Sequence, residues 1–189
     1  MQEKEIIDGI IAGNEAAFRE LVHRHQSMVV NVCHQFLQDP EDAHDVAQEV
    51  FIEVFRSASR FRHQSKISTW LYRIAVNRSL NYLRKKKRHD WIERLDDLIA
   101  MKSFAPLEKS PEENREQMES LQVLHQAIGS LPEKQRAAIT LSFFEELSYK
   151  EIADILKITV SNVGVLINRA KKGVQEKVLR YYGKHYRAL

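Results

Sequence analysis

The sequence predicts an all-α protein, two small helical domains joined by a flexible linker. Three observations carry that expectation. Apolar residues recur at intervals of three and four along most of the chain. The 189 residues include only six Gly and four Pro, so little punctuates the helices. The periodicity lapses once, from His89 to Asn114, where Pro106, Ser110 and Pro111 interrupt an acidic stretch. The expected division is 1–88, a linker over 89–114, and 115–189.

The first amphipathic helix is marked by Phe18, Leu21 and Val22, then Val29, Val32, Cys33, Phe36 and Leu37. Cys33 falls on the apolar side and is read as core. It is the only cysteine, so no disulfide forms within the chain, which fits a reducing compartment. The Met-Gln-Glu-Lys-Glu start is unlike a signal peptide, and no apolar run approaches a membrane span. A cytoplasmic protein without direct membrane insertion is expected.

Asp39-Pro40-Glu41-Asp42 breaks the chain and starts the next helix, its acids suited to the positive end of the helix dipole. There Ala43, Val46, Ala47, Val50, Phe51, Val54, Phe55 and Ala58 form an apolar stripe. Asp42, Asp45, Gln48, Glu49 and Glu53 lie opposite. Arg60 to Lys66 reads as a loop, and a further helix runs from about Ser68 to Arg88. On that helix Ile67, Leu71, Ile74, Ala75 and Tyr82 share one side, and Lys66, Trp70, Arg73, Asn77, Asn81, Arg84 and Arg88 the other.

Charge divides this region. From Asp39 to Glu53 there are six acids and no Lys or Arg; residues 56–88 hold eleven Lys or Arg and no acid. Phe61, Trp70, Tyr72 and Tyr82 interleave with the cations. Cations neutralise phosphates and aromatic faces stack unpaired bases, so this surface suits nucleic acid. The acidic stripe suits a different, protein partner. A solvated face is the competing account of each surface.

Beyond the linker, Met118, Leu121, Leu124, Ile128 and Leu131 repeat helically. Ser130-Leu-Pro-Glu133 and Ser148-Tyr-Lys-Glu151 both have the capping-box pattern. Ser148 to Leu156, a turn at Lys157-Ile158-Thr159, and Val160 to about Gly173 have helix-turn-helix spacing, with Ile152, Ala153, Ile155, Val160, Val163, Ile167 and Ala170 as shared core. The outward residues of the second helix are Ser161, Asn162, Val165, Asn168, Arg169 and Lys172, types that address base edges and phosphates. Residues 169–187 add seven bases against one acid, Glu176. A plain helical hairpin is the alternative.

Two motif sets resemble the extracytoplasmic-function sigma factors of bacterial RNA polymerase. Asp39-Pro-Glu-Asp-Ala-His-Asp-Val-Ala-Gln-Glu-Val-Phe, Arg60-Phe-Arg and Thr69-Trp-Leu-Tyr-Arg-Ile-Ala-Val-Asn resemble their conserved region two. Ser130-Leu-Pro-Glu-Lys-Gln-Arg and Leu147-Ser-Tyr-Lys-Glu-Ile-Ala resemble region four. The resemblance implies that Asp45, Gln48 and Glu49 meet the coiled coil of the largest subunit of core RNA polymerase. It implies that Phe61, Arg62, Asn77 and Asn81 form a pocket for a flipped base of the non-template strand at the minus-ten element. Arg73 and Arg84 lie near the backbone there, and Lys66 and Trp70 share that face. The helix-turn-helix would read the minus-thirty-five duplex of promoter DNA while the first helices of that segment sit on the polymerase flap. Such proteins are usually restrained by an anti-sigma factor, often a membrane protein. The chain departs from the pattern at Gly164, Val165 and Leu166, where Lys or Arg, Ser and Arg are common, and at Lys157, where the turn usually has Gly.

An operator-binding helix-turn-helix regulator would share the second motif but needs neither the acidic stripe nor aromatics aimed at unpaired bases. A helical RNA-binding protein using Arg84–Arg88 is a third account. Catalysis has no support: there is no Gly-rich phosphate loop and no nucleophile motif. No cofactor is implied. His23, His25, His34 and His44 lack zinc-ligand spacing, so no metal is expected.

Overall fold

The computed structural model describes the backbone of residues 2–100 and 115–185, and the side chains of residues 2–88, 120–121 and 123–183. Within them the chain forms eight α-helices and no strand: α1 (Glu3–Ile11), α2 (Glu15–Leu37), α3 (Pro40–Ser57), α4 (Ile67–Ala100), α5 (Arg115–Gly129), α6 (Glu133–Phe143), α7 (Tyr149–Leu156) and α8 (Val160–His185). A 3-10 turn, Ala58–Arg60, follows α3.

Side-chain caps start α2 and α3. Asn14 Oδ1 accepts from the N–H groups of Ala16 and Ala17 at the head of α2. Asp39 Oδ1 does the same for Glu41 (2.9 Å) and Asp42 (3.0 Å), with Pro40 in the first turn of α3, where its missing N–H has no consequence. Glu3 of α1 reaches across to the first turn of α4, its Oε2 accepting from Ile67 N–H at 3.4 Å. α1 itself was not singled out by periodicity, yet Ile6, Ile7 and Ile10 are buried in the core.

α1 to α4 pack around Leu21, Val29, Val32, Cys33, Val46, Val50, Val54, Ile67, Leu71 and Ala75. Burial pushes the Cys33 thiol up to about 11, so it stays protonated, as a core residue should. α6, α7 and α8 pack around Leu141, Ile152, Ile155, Val163 and Ile167, and α5 lies against α8. The main contact between the two groups of helices is α4 against α7, which joins their buried residues into one cluster.

Two local expectations need correction. Ser130 does not cap α6. The helix begins at Glu133 behind an N-cap Pro132, leaving Ser130 too far back. Its hydroxyl donates to Ala127 O at 2.6 Å and accepts from Lys177, while Glu133 turns to another partner. In addition, α4 does not stop near Arg88 but runs on to Ala100. No Gly or Pro falls between Arg88 and Ala100 to break it. The rest of the expected linker, 101–114, lies outside the described residues. Ser148 does form the reciprocal box: Glu151 N–H donates to its Oγ, and Ser148 N–H donates to Glu151 Oε2 at 2.9 Å.

Candidate nucleic-acid interfaces

α3 presents Asp45, Gln48 and Glu49 to solvent. Beside them stand two large apolar side chains, Ile52 (48 % exposed) and Phe55 (53 %), the latter edge-on to Phe18. The acids are not all free. Arg78 of α4 pairs with Glu53 at 2.6 Å and with Glu49 at 3.3 Å. Asp42 accepts from Tyr82 Oη at 2.5 Å and from Lys86 Nζ at 2.7 Å. The Lys86 bond first, then Tyr82, hold the Asp42 carboxyl below its usual range. So the charge division in the sequence has a second use: three acids of α3 clasp two cations of α4.

The residues expected to meet a minus-ten element come together only in part. Phe61 packs on Trp70, ring centroids 4.8 Å apart, and on His63 at 5.0 Å, which makes the loop after α3 an aromatic ledge. Arg62 and Lys66 are exposed beside it. Further along α4, Asn77 and Asn81 are exposed, and Asn81 Oδ1 accepts from Arg84 Nη1 at 2.9 Å. The two remaining cations are engaged with the other group of helices. Arg73 donates to the carbonyl oxygens of Asp154 (2.9 Å) and Ile155 (3.3 Å), in the last turn of α7. Burial lowers its pKa. Arg84 forms a two-pronged pair with Glu133, Nε to Oε1 at 2.5 Å and Nη2 to Oε2. Hydrogen bonds from Arg84 hold the Glu133 carboxyl below its usual range.

The helix-turn-helix has the expected turn and core except at Val160, which was expected in the shared core but stands 48 % exposed because it is the first residue of α8, ahead of the stripe that begins at Val163. α7 ends on Lys157 in the left-handed region (φ 56°), and Ile158 N–H closes back to Ala153 O at 3.1 Å. A side chain in that conformation costs about 1–2 kcal/mol relative to glycine, consistent with Gly being usual there. Thr159 Oγ1 then accepts from Asn162 N–H at 3.2 Å to start α8. Ser161, Asn162, Val165, Asn168, Arg169 and Lys172 are all exposed along α8, Val165 by 43 %. Leu166 is not among them: it is half-buried against the shared core. Gly173 lets α8 approach Leu131, since a Cβ there would lie 2.9 Å from Leu131 Cδ2.

Sequence reasoning missed the partners of Arg73 and Arg84. A helical wheel shows which residues share a face, not which element covers it. Among the described residues no His, Cys, Asp and Glu side chains gather to hold a metal ion, and no helix is long and apolar enough to cross a membrane.

Comparison with known proteins gives the same two segments. The sigma-70 region 2 model matches residues 21–89, and the sigma-70, region 4 model matches residues 121–173. The chain is 34 % identical over 179 residues to the RNA polymerase sigma-H factor of Pseudomonas aeruginosa, covering 93 % of each. It is 35 % identical over 182 residues to the ECF RNA polymerase sigma-E factor of Escherichia coli, covering 94 % of this chain and 95 % of that one. With the ECF RNA polymerase sigma factor SigW of Bacillus subtilis it shares 30 % over 182 residues, 94 % and 97 %. Two solved structures share the fold. One is CnrH in complex with the cytosolic domain of CnrY (TM-score 0.65, 21 % identity, 92 % of this chain and 95 % of that one). The other is the sigma factor RpoE with the anti-sigma factor NepR from Bartonella quintana (TM-score 0.59, 19 % identity, 85 % and 96 %).

Proposed function

Because the chain belongs to the extracytoplasmic-function sigma factors of the sigma-70 family, and so is an alternative sigma factor that initiates transcription, we propose how that work is divided among its surfaces. Residues 1–88 dock on core RNA polymerase and handle the minus-ten element. Residues 89–114 link, and residues 115–189 read the minus-thirty-five duplex. The observation that carries this division is the α3 face, where Asp45, Gln48 and Glu49 stay exposed next to exposed Ile52 and Phe55. The fold is already satisfied by the opposite stripe. Acids rimming an apolar patch suit a basic, amphipathic protein surface, the largest-subunit coiled coil.

On the other side, the Phe61–Trp70 ledge stacks an unpaired base and Asn77 and Asn81 offer amide groups to its edge. Arg62, Lys66, Arg73 and Arg84 hold the strand backbone. On α8, Ser161, Asn162, Val165, Asn168, Arg169 and Lys172 face the duplex, Val165 suited to a thymine methyl group. The chain supplies no catalytic residue of its own; bond formation belongs to the polymerase. It works in the cytoplasm. RpoE was solved with the anti-sigma factor NepR and CnrH with the cytosolic domain of CnrY, and an anti-sigma protein is the restraining partner expected here too.

The test is Asp45→Lys with Glu49→Lys, titrated against purified core polymerase. The substitution breaks one exposed ion pair with Arg78, worth no more than about 1 kcal/mol, so the fold survives. Circular dichroism checks this. Core binding is expected to be lost, because opposed charges become like charges. A well-folded double variant that still binds core polymerase and initiates would sink the assignment of α3.

A further inference from the structure

We infer that α1 is a positioning element for strand capture: Glu3 and Asp8 hold the loop over residues 61–66, so that Phe61 stays packed against Trp70. This rests on the reading of the Phe61–Trp70 ledge as the seat of an unpaired base.

The loop has no means of tying itself down. Residues 56–88 contain no Asp or Glu, which keeps this surface positive for a strand but leaves the head of α4 without an anion of its own. Lys66, whose carbonyl accepts from Trp70 N–H at 3.3 Å, holds the N-cap position with a side chain that accepts no hydrogen bond. Its cation also meets the positive end of the helix dipole. The missing acid comes from the first turn of α1: Glu3 Oε2 accepts from Ile67 N–H at 3.4 Å, across 64 positions of sequence.

The middle of the loop leans on the same helix. His63 lies in the left-handed region (φ 54°), a conformation that a side chain disfavours and that surrounding contacts must maintain. Its ring stands edge-on to Phe61, and its Nε2 lies 4.0 Å from Asp8 Oδ1. At the near end, α1 packs on the 3-10 turn Ala58–Arg60, which runs straight into Phe61; Phe61 N–H donates back to Ala58 O at 3.0 Å. Ile6, Ile7 and Ile10 are buried in the core, so α1 is a fixed support. It therefore bears on the loop before, within and after the segment that carries the ledge. A base stacks well only on a ring already in place; a loose Phe61 would have to be ordered during binding, at a cost in affinity. Glu3 and Asp8 act through Ile67 and His63, which makes them positioning residues.

The experiment uses the full chain with Trp91→Phe, which leaves Trp70 as the sole tryptophan. Acrylamide quenching of Trp70 reports whether Phe61 covers it. Strand capture is read with core polymerase and a fluorescent fork-junction fragment of a promoter the chain transcribes, its unpaired non-template bases replaced one at a time by abasic sites. In the parent, removing the captured base weakens binding by about tenfold, the effect of one lost base stack. Glu3→Ala with Asp8→Ala raises the quenching of Trp70 and shrinks that penalty to about threefold or less, with core binding unchanged. Glu3→Gln, which keeps an acceptor for Ile67 N–H, behaves as the parent. Unchanged quenching in the double alanine variant overturns the brace, and a lower melting temperature with quenching and penalty both unchanged assigns α1 a purely structural role and overturns it equally. Quenching that rises while the abasic penalty stays intact overturns the role in capture, and places the fault in the strand reading of the ledge and not in the support from α1. Circular dichroism confirms that each variant is folded.

Discussion

α4 and α8 both carry a cationic side facing away from their own apolar stripe, and the fold treats them in opposite ways. On α8, Arg169 and Lys172 stand exposed along with every other residue expected to meet the duplex. On α4, Arg73 and Arg84 are engaged by the ends of two other helices, α7 and α6. The difference lies in what surrounds each cation. A carboxylate at a helix start and the carbonyls at a helix end are what a guanidinium seeks when no phosphate is present. The same chemistry that prepares α4 for a nucleic-acid backbone makes it the better target for a substitute within the chain.

The widest gap between the two helices should appear in the salt dependence of duplex binding by the free chain. Arg169→Ala with Lys172→Ala removes two exposed cations and should make the slope of log K against log salt shallower by about 1.8, at about 0.9 per phosphate contact. Alanine at Arg73 or Arg84 should not flatten it. Equal flattening by the α4 alanines would abolish the distinction between a covered and an open face.

Acid should erode the covered face next. The Glu133 carboxyl is held down by Arg84, so its contribution is present above its ordinary 4.5 and is lost as pH falls through the depressed value. Asp42, held down from 3.8 by Lys86 and Tyr82, follows the same sign within the α3–α4 clasp. Glu145 has the opposite sign: burial raises it, so its contribution is present in acid and lost as pH rises through the raised value. The melting temperature should thus fall as the pH drops below about 4.5 and Glu133 and Asp42 lose their charge, while Glu145 acts in the opposite sense above that. A melting temperature that is unchanged in acid for the parent chain and for Glu133→Gln alike would show that the Arg84–Glu133 pair contributes nothing.

The smallest effect belongs to the open face. Gly164 sits within α8, and a Cβ there would lie 3.7 Å from Tyr149 Cε2, an ordinary contact. Gly164→Ala should therefore stabilise the protein by about 0.5–1 kcal/mol through the helix backbone, read from urea unfolding. A destabilised variant would mean that α8 is packed there more tightly than its exposure suggests.

Much of the fold was legible because it depends on neighbours in sequence. The apolar stripe of α3 from Ala43 to Val54, its Asp39 cap and the Ser148–Glu151 box are settled within a few residues and are present; Phe55, expected in that stripe, instead stands 53 % exposed at its edge. Ser130 failed for an equally local reason, the intervening Pro132, which takes the N-cap and starts the helix two residues later than the pattern requires. α1 was missed because its isoleucines carry no recognised motif around them, whereas the still shorter α7 is marked by its capping box and the helix-turn-helix spacing. The candidate site was legible as faces and not as contacts. Asp45, Gln48, Glu49 and the α8 residues are exposed as expected. Arg73, Arg84 and Leu166 meet residues some fifty to ninety positions away, beyond any pattern in the local sequence.

The two groups of helices belong to a single polypeptide, α4 ending at Ala100 and α5 resuming at Arg115. Their contact through α4 and α7 is therefore intramolecular and escapes the dilution that two separate molecules would suffer. A contact too weak to join separate molecules can still form within one chain, and a partner that competes for one side of it need displace only a weak one.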